Sequence, residues 1–217
     1  MFWETINSEQ KEVLKKIVAD LPIKNSYLAG GTGLALLLGH RKSIDFDWFT
    51  PAEFEPAELE NKLASSGNLK VLKSKAGTFH ALLDQVRVTW LYYPNPLIQP
   101  PLKISQVPGL KIASLADIGV MKWIAISQRG TKKDFIDLYF TLQEGLSLDE
   151  LMTFLPKKFP HKNLNYYHLT RSLGYFEDAE TQENLKMIKQ VSWQQIKSFF
   201  TAERNRLLDV LINNPGK

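Results

Sequence analysis

The segment Tyr27–Asp47, with the sequence YLAGGTGLALLLGHRKSIDFD, decides how the rest of this chain is organised. It opens with a short apolar run, Tyr27–Ala29, that ends in a pair of glycines, which is typical of a buried strand that turns sharply. Thr32 is predicted to cap a short helix after this turn, because hydroxyl side chains favour helix starts. Gly39 is predicted to end that helix. The segment therefore predicts a strand, a tight turn and a short helix in close succession.

A second strand is predicted where Ile44–Phe49 alternates between apolar and acidic residues. Alternation places Asp45 and Asp47 on one face of this strand. The other face is expected to carry Ile44, Phe46 and Trp48. Two neighbouring carboxylates repel each other, so a fold tolerates them mainly where solvent or a cation offsets the repulsion. A divalent cation held by carboxylates and phosphate oxygens is one such arrangement.

These features together resemble the signature of the polymerase-β-like nucleotidyltransferases. Gly30-Gly31-Thr32 is followed, after twelve residues, by Asp45-Phe46-Asp47, which matches that family's glycine turn, short helix and Asp-x-Asp strand. The surrounding sequence, LAGGT and GHRKSIDFDWF, is similar to the narrower AbiEii/AbiGii toxin nucleotidyltransferase family. The alternative interpretation is a strand–turn–helix–strand piece whose aspartates are merely solvated.

The resemblance implies a role for each part of this segment. Asp45 and Asp47 would bind Mg²⁺ (or Mn²⁺), which bridges the triphosphate of an NTP. The turn at Gly30 and Gly31 would let backbone N–H groups, together with the Thr32 hydroxyl, approach the β- and γ-phosphates closely. Further contacts with the phosphates are expected from Arg41 and Ser43.

The composition is that of a globular chain with a mild positive charge. Of 217 residues, 44% are hydrophobic and 11% aromatic, which is enough to build a buried core. A net charge of +4 is compatible with a phosphate-bearing partner but does not diagnose nucleic-acid binding. The absence of cysteine excludes disulfides and thiolate metal sites. With no signal-peptide pattern and no apolar window of membrane-spanning length, we expect a cytoplasmic protein without a membrane segment.

Residues 1–93 are predicted to form a small α/β core around a mixed sheet, giving the chain an α+β fold. Two further helices are expected at about 8–20 and 57–64. Further strands are expected at 69–73, 78–83 and 86–92. Asp84 and Gln85 are predicted to join the last two strands in a tight hairpin.

The strand at 86–92 departs from the family pattern. In polymerase-β-like enzymes this strand usually carries a third carboxylate that completes the metal site. Here alternation places Arg87, Thr89 and Leu91 on one face, and Thr89 stands about where the acid is expected. Asp84 is near in sequence but lies in the turn. The departure leaves open whether the metal site is complete.

Residues 94–217 are predicted to form a mainly helical region that packs on the core to make a cleft. Pro94–Pro108 holds five prolines without a clean period and is interpreted as a linker. Ser114, with Asp117 three residues later, is predicted to cap a helix that runs to about residue 128. Further helices are expected at 132–142, from 147, at 165–173 and at 192–211, with aromatic residues of the last one in the core and residues 213–217 frayed.

A second cluster lies between Lys122 and Asp137 and resembles another block of the same toxin family: a lysine, then an arginine, then Lys-Asp-x-x-Asp-Leu. Lys122 sits on an otherwise apolar helix, where an ammonium either reaches solvent or meets an anion. Arg129, Lys132 and Lys133 lie at a helix–helix corner, and free N–H groups at a helix start favour phosphate. Asp134 and Asp137 share one helix face and could hold a lysine or a ribose hydroxyl.

In the family interpretation, Lys122 and Arg129 clamp the phosphates of the nucleotide. Lys133 adds a further contact with the nucleotide, and Asp134 orients a lysine or the ribose. The other interpretation of the cluster is a solvated charged corner closed by an internal ion pair. The histidines at 80, 161 and 168 show no spacing typical of metal ligands.

The resemblance as a whole implies transfer of a nucleoside monophosphate from an NTP to an acceptor, with release of pyrophosphate. It also implies the toxin of a type IV toxin–antitoxin system, with an antitoxin protein as partner and an acceptor such as tRNA. Two alternatives stay open. One is a catalytically degenerate member of the fold that binds a nucleotide or a protein, and the other is an interaction module with no nucleotide site.

Overall fold

The computed structural model describes residues 1–213, which form two compact units. The first unit comprises Met1–Ile118 and the second begins at Gly119. Of the chain end predicted to fray, residues 214–217 lie outside the described part, and Asn213 is the last residue of a helix. Among the described residues, none of the helices combines the length and apolar content that a membrane span requires.

The first unit is built on a seven-stranded mixed sheet in the order β3-β4-β5-β2-β1-β7-β6. The pairs β2–β5 and β1–β7 are parallel, and the other pairs are antiparallel. The strands are β1 (Tyr27–Leu28), β2 (Asp45–Thr50), β3 (Leu69–Lys75), β4 (Thr78–Leu83), β5 (Val86–Tyr92), β6 (Leu102–Lys103) and β7 (Lys111–Ile112). The predicted α+β fold with a mixed sheet is confirmed.

Helices flank this sheet in the first unit. A short 3-10 helix, Trp3–Thr5, precedes α1 (Ser8–Ala19), α2 (Gly30–Leu38) and α3 (Pro56–Ser66). A reciprocal pair of hydrogen bonds between Asn7 and Gln10 caps the start of α1. Helix α1 buries an apolar stripe: Val13, Leu14, Ile17 and Val18.

Strand β2 separates its two kinds of side chain by alternation. Phe46 and Trp48 are fully buried, and the Trp48 ring stacks on that of Trp90 in β5 at 5.6 Å between centroids. Because successive side chains of a strand point to opposite faces, this burial turns Asp45 and Asp47 to the other face. Burial of the two aromatic side chains therefore fixes where the carboxylates stand.

Two local predictions in the opening segment are wrong in detail. Helix α2 begins at Gly30 with Ala29 as its N-cap residue, and the Thr32 hydroxyl, expected to cap, instead bonds to Ser43 and to the Asp45 carbonyl. Ile44, expected to point to the apolar face of the strand, is 72% exposed and precedes β2, because the ladder with β5 starts only at Asp45. The predicted helix stop at Gly39 is confirmed by its left-handed conformation, φ +66°.

The predicted hairpin between β4 and β5 is confirmed. Asp84 and Gln85 both have positive φ, 48° and 67°, as the central residues of a type I′ turn do. That turn twists in the sense of the flanking strands, so it sets β4 and β5 in a fixed register. This register places the residues of β4 opposite those of β5 that adjoin the carboxylates.

The segment Pro94–Pro108 is more than a linker. Leu102 and Lys103 form β6, which pairs with β7, and the Asp117 carboxylate accepts hydrogen bonds from the backbone N–H groups of Ile98 and Gln99. Strands of two residues are too short to show a period in the sequence. The predicted cap of the following helix is confirmed, since Ser114 Oγ donates to Asp117 and accepts from its backbone N–H.

The second unit is helical and begins at Gly119, whereas the predicted helical region begins at residue 94. Helix α4 (Leu115–Arg129) spans the boundary between the units, and the remaining helices are α5 (Lys132–Gln143), α6 (Leu148–Lys158), α7 (Tyr166–Ser172), α8 (Glu177–Glu180) and α9 (Trp193–Asn213). Its core joins Phe135 of α5 to Phe200 and Trp193 of α9 through edge-to-face ring contacts at 5.5 and 5.9 Å. The aromatic residues of α9 therefore serve the core, as predicted.

Candidate active site

The two aspartates of β2 form the acidic part of the site in the first unit. Asp45 and Asp47 share one face of the strand and are half-buried. Their register partners on β5 are Arg87 and Thr89. The Arg87 guanidinium lies 3.9 Å from the Asp45 carboxylate and offsets part of the repulsion between the two acids.

The glycine turn lies directly against this acidic pair. Gly30 has φ +61°, and a Cβ atom built on it would lie 2.7 Å from Asp47 Oδ2. A Cβ on the adjacent Gly31 would collide with the Arg41 guanidinium and lie 3.5 Å from Ser43 Oγ. Gly30 is therefore required for its backbone conformation. Both glycines are required because the turn lies so close to these side chains.

Helix α2 begins at this turn, beside Asp47. Its N-cap residue, Ala29, has no side chain that could accept hydrogen bonds from the N–H groups of the first turn. The positive end of the helix dipole adds to the attraction for anionic oxygens. The neighbouring Arg41, which is 4% exposed, supplies a cation at the same turn.

A buried hydrogen-bond network holds this arrangement together. The Thr32 hydroxyl donates to the Asp45 carbonyl and shares a 2.6 Å hydrogen bond with the Ser43 hydroxyl. The Ser43 carbonyl accepts from Gln10 Nε2 at 2.9 Å, and its N–H donates to the Thr5 carbonyl at 3.0 Å. Thr32 and Ser43 therefore tie α2 to β2, and α1 fixes the loop between them.

The donor set fits a divalent cation that shares its coordination with phosphate oxygens. Asp45 and Asp47 are two carboxylates on one face, which is the hard oxygen chemistry that Mg²⁺ and Mn²⁺ prefer. Among the described residues, no cluster of three or more acidic, histidine or cysteine side chains could hold a metal ion. Asp45 and Asp47 would therefore supply two ligands, and the oxygens of a bound triphosphate would supply others.

Asp84 does not supply a third carboxylate. Its side chain accepts from Lys16 at 2.7 Å and from the Asn68 backbone N–H at 2.9 Å. These hydrogen bonds, the one from Lys16 first, lower the pKa of Asp84. The position beside Asp47 is instead occupied by Thr89, which is 4% exposed.

The second cluster forms a buried ion network in the second unit. Lys122 Nζ lies 2.9 Å from Asp134 Oδ1 and 2.7 Å from Asp137 Oδ2. Both aspartates are fully buried, and Lys122 is 5% exposed. Lys122 therefore satisfies two carboxylates across the α4–α5 corner.

Arg129 and Thr131 complete the surroundings of Asp134. The Arg129 guanidinium binds Asp134 in a forked arrangement, with Nε at 2.8 Å and Nη2 at 3.0 Å, and the Thr131 hydroxyl donates at 2.5 Å. Burial alone would raise the pKa of Asp134, but the charges of Lys122 and Arg129 and the hydrogen bonds outweigh it and lower the pKa to about 2. Asp134 is therefore ionised throughout the physiological range.

The network leaves the cations of this corner unequally accessible. The Arg129 side chain is 56% exposed and Lys133 is exposed, whereas Lys122 is buried between carboxylates. Lys132 is also buried and donates to the Gln182 carbonyl at 2.6 Å. Arg129 and Lys133 are thus the side chains of the corner that a ligand can reach from solvent.

The predicted residues accordingly fall into two groups, one in each unit. The first group is brought together around the glycine turn: Gly30, Gly31, Thr32, Arg41, Ser43, Asp45 and Asp47. The second group comprises Lys122, Arg129 and Asp134. Lys133 directly precedes Asp134 in the chain and is exposed. The sequence predicted that Asp134 and Asp137 could hold a lysine, and Lys122 is that lysine. The sequence did not single out His80, whose Nδ1 lies 3.1 Å from Thr89 Oγ1. His80 could have been found only from the strand register, which the histidine spacing does not contain.

Comparison with known proteins identifies relatives along most of the chain. The family model described as nucleotidyl transferase AbiEii toxin, type IV TA system, matches residues 83–213, more than half of the chain. An uncharacterized protein of Aquifex aeolicus (strain VF5) is 35% identical over 209 residues, which cover 94% of this chain and 98% of that protein.

Solved structures of the same fold include nucleotidyltransferases. The nucleotidyltransferase toxin MenT4 of Mycobacterium tuberculosis H37Rv gives a TM-score of 0.60 at 14% identity, over 92% of this chain and 82% of that chain. A crystal structure from H. pylori, assigned as a nucleotidyltransferase, gives 0.56 at 16% identity over 94% of both chains. These likenesses show the fold, and the family match covers the cluster from Lys122 to Asp137. The chain belongs to the nucleotidyl transferase AbiEii toxin family.

Proposed function

We propose that this protein transfers a nucleoside monophosphate from an NTP to an acceptor hydroxyl, with release of pyrophosphate. The observation that carries the proposal is the glycine turn, which lies against Asp47 on one side and Arg41 on the other. A turn that close to a carboxylate pair brings N–H donors, a cation and metal ligands to one point. A metal-bound triphosphate requires those three kinds of group.

The first unit supplies the contacts with the triphosphate. N–H groups at the start of α2 donate to phosphate oxygens, and Arg41 adds positive charge beside Gly31. Thr32 and Ser43 act mainly by fixing the loop, because their hydroxyls are hydrogen-bonded to each other and the Thr32 hydroxyl also bonds to the Asp45 carbonyl. These residues bind and orient the nucleotide so that its α-phosphorus faces the acceptor.

Asp45 and Asp47 are the residues that would hold Mg²⁺ or Mn²⁺. When bound, the cation offsets the charge that develops on the phosphoryl group during transfer. The half-exposed position of both carboxylates allows a ligand to enter from solvent. Arg87, whose guanidinium is 3.9 Å from Asp45, supplies positive charge beside this carboxylate.

The second unit holds a buried ion network of its own. Arg129 and Lys133 are assigned contact with an anionic ligand, because both are exposed. Lys122 is assigned a positioning role, since it holds Asp134 and Asp137 at 2.9 and 2.7 Å. Asp134 in turn fixes the Arg129 guanidinium through two hydrogen bonds.

Family membership supports a finer proposal about biological role. The family is described as the toxin of a type IV toxin–antitoxin system, so we infer an antitoxin protein as partner. An RNA acceptor such as tRNA is compatible with the net charge of +4. Both partners belong to the proposal and are tested separately from nucleotide binding.

The direct test is calorimetric titration of the full chain with each of the four NTPs, with and without Mg²⁺. Wild-type protein is expected to bind at least one NTP only with Mg²⁺, and Asp45→Asn/Asp47→Asn is expected to lose that binding. Asp20→Asn/Asp209→Asn, at two exposed sites elsewhere, makes the same change in charge and should bind like wild type. Binding of no NTP under either condition would reject the proposal.

A second candidate is a catalytically degenerate member of the fold that binds a nucleotide or a protein without turnover. Thr89, at the position where a third carboxylate is usual, favours this candidate. Incubation of the wild type with α-labelled NTPs, Mg²⁺ and total cellular RNA separates the two. Label in the RNA supports transfer, whereas NTP binding that survives without Mg²⁺, with no label in any acceptor, supports the degenerate candidate.

A further inference from the structure

A row of side chains crosses the sheet beside the carboxylate pair and contains a histidine. Asp47 on β2 is the register partner of Thr89 on β5, and Thr89 is the register partner of His80 on β4. Directly opposed residues of neighbouring strands project from the same face of a sheet. Asp47, Thr89 and His80 therefore stand side by side on one face, in that order.

A hydrogen bond orients the histidine within this row. His80 Nδ1 lies 3.1 Å from Thr89 Oγ1. Thr89 is 4% exposed and therefore fixed by its surroundings, whereas His80 is half-buried. If Nδ1–H donates to the Thr89 hydroxyl, the lone pair on Nε2 is the one that meets a ligand.

The surroundings of His80 lower its pKa and so favour the neutral imidazole. Burial lowers the pKa of His80, and the nearby cation of Lys73 on β3 lowers it further. Asp47 acts in the opposite direction, and two more cations, Arg87 and Lys75, again lower the pKa. A neutral imidazole at pH 7 is able to accept a proton.

Other groups on this part of the face are unsuited to that task. Arg87 on β5 is a permanent cation, and the residues that β3 pairs with Leu82, His80 and Thr78 are lysines. Asp45 and Asp47 are assigned to the cation. His80 is therefore the base that stands nearest to the carboxylate pair on strands β3, β4 and β5.

We propose that His80 accepts the proton of the acceptor hydroxyl during nucleotidyl transfer, and that Thr89 positions it. This inference rests on the proposed function. The resemblance to polymerase-β-like enzymes implies a carboxylate at the Thr89 position, and here the hydrogen-bonded pair of Thr89 and His80 occupies that part of the sheet. Thr89 is a positioning residue, because it acts through the imidazole.

The step conserves atoms and charge. The acceptor O–H bond breaks, and its proton bonds to His80 Nε2 to give an imidazolium. The electron pair left on the acceptor oxygen forms a bond to the α-phosphorus of the NTP. The bond between the α-phosphorus and the bridging oxygen breaks, and pyrophosphate leaves with that electron pair.

The first experiment measures transfer of α-labelled NMP to total cellular RNA by the full chain. His80→Gln is expected to lower kcat by about 100-fold or more, while KM for the NTP stays within about twofold because His80 takes no part in binding the triphosphate. His161→Gln, at an exposed histidine elsewhere, is the matched control and should keep wild-type kcat. His80→Gln with kcat within threefold of wild type would overturn the inference.

A rescue variant tests whether the histidine replaces the missing carboxylate. His80→Gln/Thr89→Asp places an acid at the register partner of Asp47. It is expected to recover at least about tenfold of the lost kcat, because a carboxylate there can also take the proton. Thr89→Val should lower kcat while leaving NTP affinity unchanged, and failure of both results would remove Thr89 from the mechanism.

A spectroscopic readout decides the geometry independently of activity. In protein labelled with ¹⁵N-histidine, the ring of His80 is expected as the Nδ1–H tautomer, and Thr89→Val should shift it toward Nε2–H. An Nε2–H tautomer in wild type would overturn the proposed orientation. If wild type transfers no nucleotide at all, the proposed function fails; if wild type transfers and His80→Gln matches it, only the role of His80 fails.

Discussion

The single residue Gly30 constrains the geometry of the whole candidate site. Its φ of +61° is a conformation that other residues adopt at a cost of about 1–2 kcal/mol. A Cβ atom would also lie 2.7 Å from Asp47 Oδ2, so one of the two groups would have to move. The glycine therefore sets both the turn and the position of a proposed metal ligand.

We expect Gly30→Ala to destabilise the fold and to weaken Mg²⁺-dependent NTP binding by about tenfold or more, equivalent to about 1.4 kcal/mol. Gly145→Ala is the matched control, because Gly145 has φ +96° but no atom within 4 Å of its Cβ position. The control should cost backbone strain alone and leave NTP affinity unchanged. Denaturant unfolding and calorimetric titration measure the two effects, and equal NTP affinities for both variants would contradict the argument.

Lys122 is the residue at which the two interpretations of the second cluster separate. Lys122→Met is expected to lower the free energy of unfolding by about 3–5 kcal/mol, because it leaves Asp134 and Asp137 buried with less compensation. Lys189→Met breaks the half-exposed pair with Glu144 and should cost about 0–1 kcal/mol. Chemical denaturation measures both. A Lys122→Met protein of wild-type stability with weakened NTP binding would favour the phosphate clamp instead.

Among the elements, β3 carries a feature that alternation alone would not produce. The pairing of β3 with β4 shifts between Val71 and Lys73, so that Lys70 pairs with Leu82 and Lys73 pairs with His80. Without the irregularity, positions 70 and 73 would point to opposite faces. The shift therefore brings three exposed lysines, Lys70, Lys73 and Lys75, to the face that carries His80, Thr89 and Asp47.

If the acceptor is RNA, this strand is expected to contact its phosphates. Replacing Lys70, Lys73 and Lys75 by glutamine should weaken binding of single-stranded RNA and reduce the salt dependence, the slope of log K against log salt, by about 2. The matched control replaces three exposed lysines elsewhere: Lys24, Lys103 and Lys186. Fluorescence anisotropy at several salt concentrations measures the slope, and equal slopes for the two triple variants would exclude β3 from the RNA contact.

The sequence predicted the elements whose signals are local. Three such signals come from residues close in the chain: the spacing between the glycine turn and the Asp-x-Asp pair, the Asp84-Gln85 hairpin, and the Ser114–Asp117 cap. Pairing between distant segments carries no such signal, which is why the short strand Leu102–Lys103 was interpreted as linker. The row from Asp47 to His80 likewise depends on strand register and on tertiary packing.

At the scale of the whole molecule, several buried or paired titratable groups set the pH range of stability. Carboxyl groups with lowered pKa lie in both units: Asp84 in the first, and Asp134 and Asp149 in the second. A carboxyl group whose pKa is lowered in the folded state stabilises the fold at pH values above its ordinary pKa of 3.8. This stabilisation is lost as the pH falls. For Asp134 this loss extends down to about pH 2, so acid weakens both units.

On the alkaline side, the buried Tyr27 hydroxyl is one of the groups that limit stability. Burial first, and then Tyr93 and Asp117, raise the pKa of Tyr27 above its ordinary value of 10.0. Its contribution to stability is therefore full below pH 10 and is lost as pH rises further, because the unfolded chain ionises first. The free energy of unfolding is thus expected to fall above about pH 10, as measured by urea denaturation across a pH series.

Among the described residues the Tyr27 hydroxyl has no hydrogen-bond partner, so Tyr27→Phe should keep neutral-pH stability and flatten the alkaline fall. An alkaline fall as steep as that of wild type in this variant would assign the limit to other groups, Tyr93 first among them, since burial raises its pKa too.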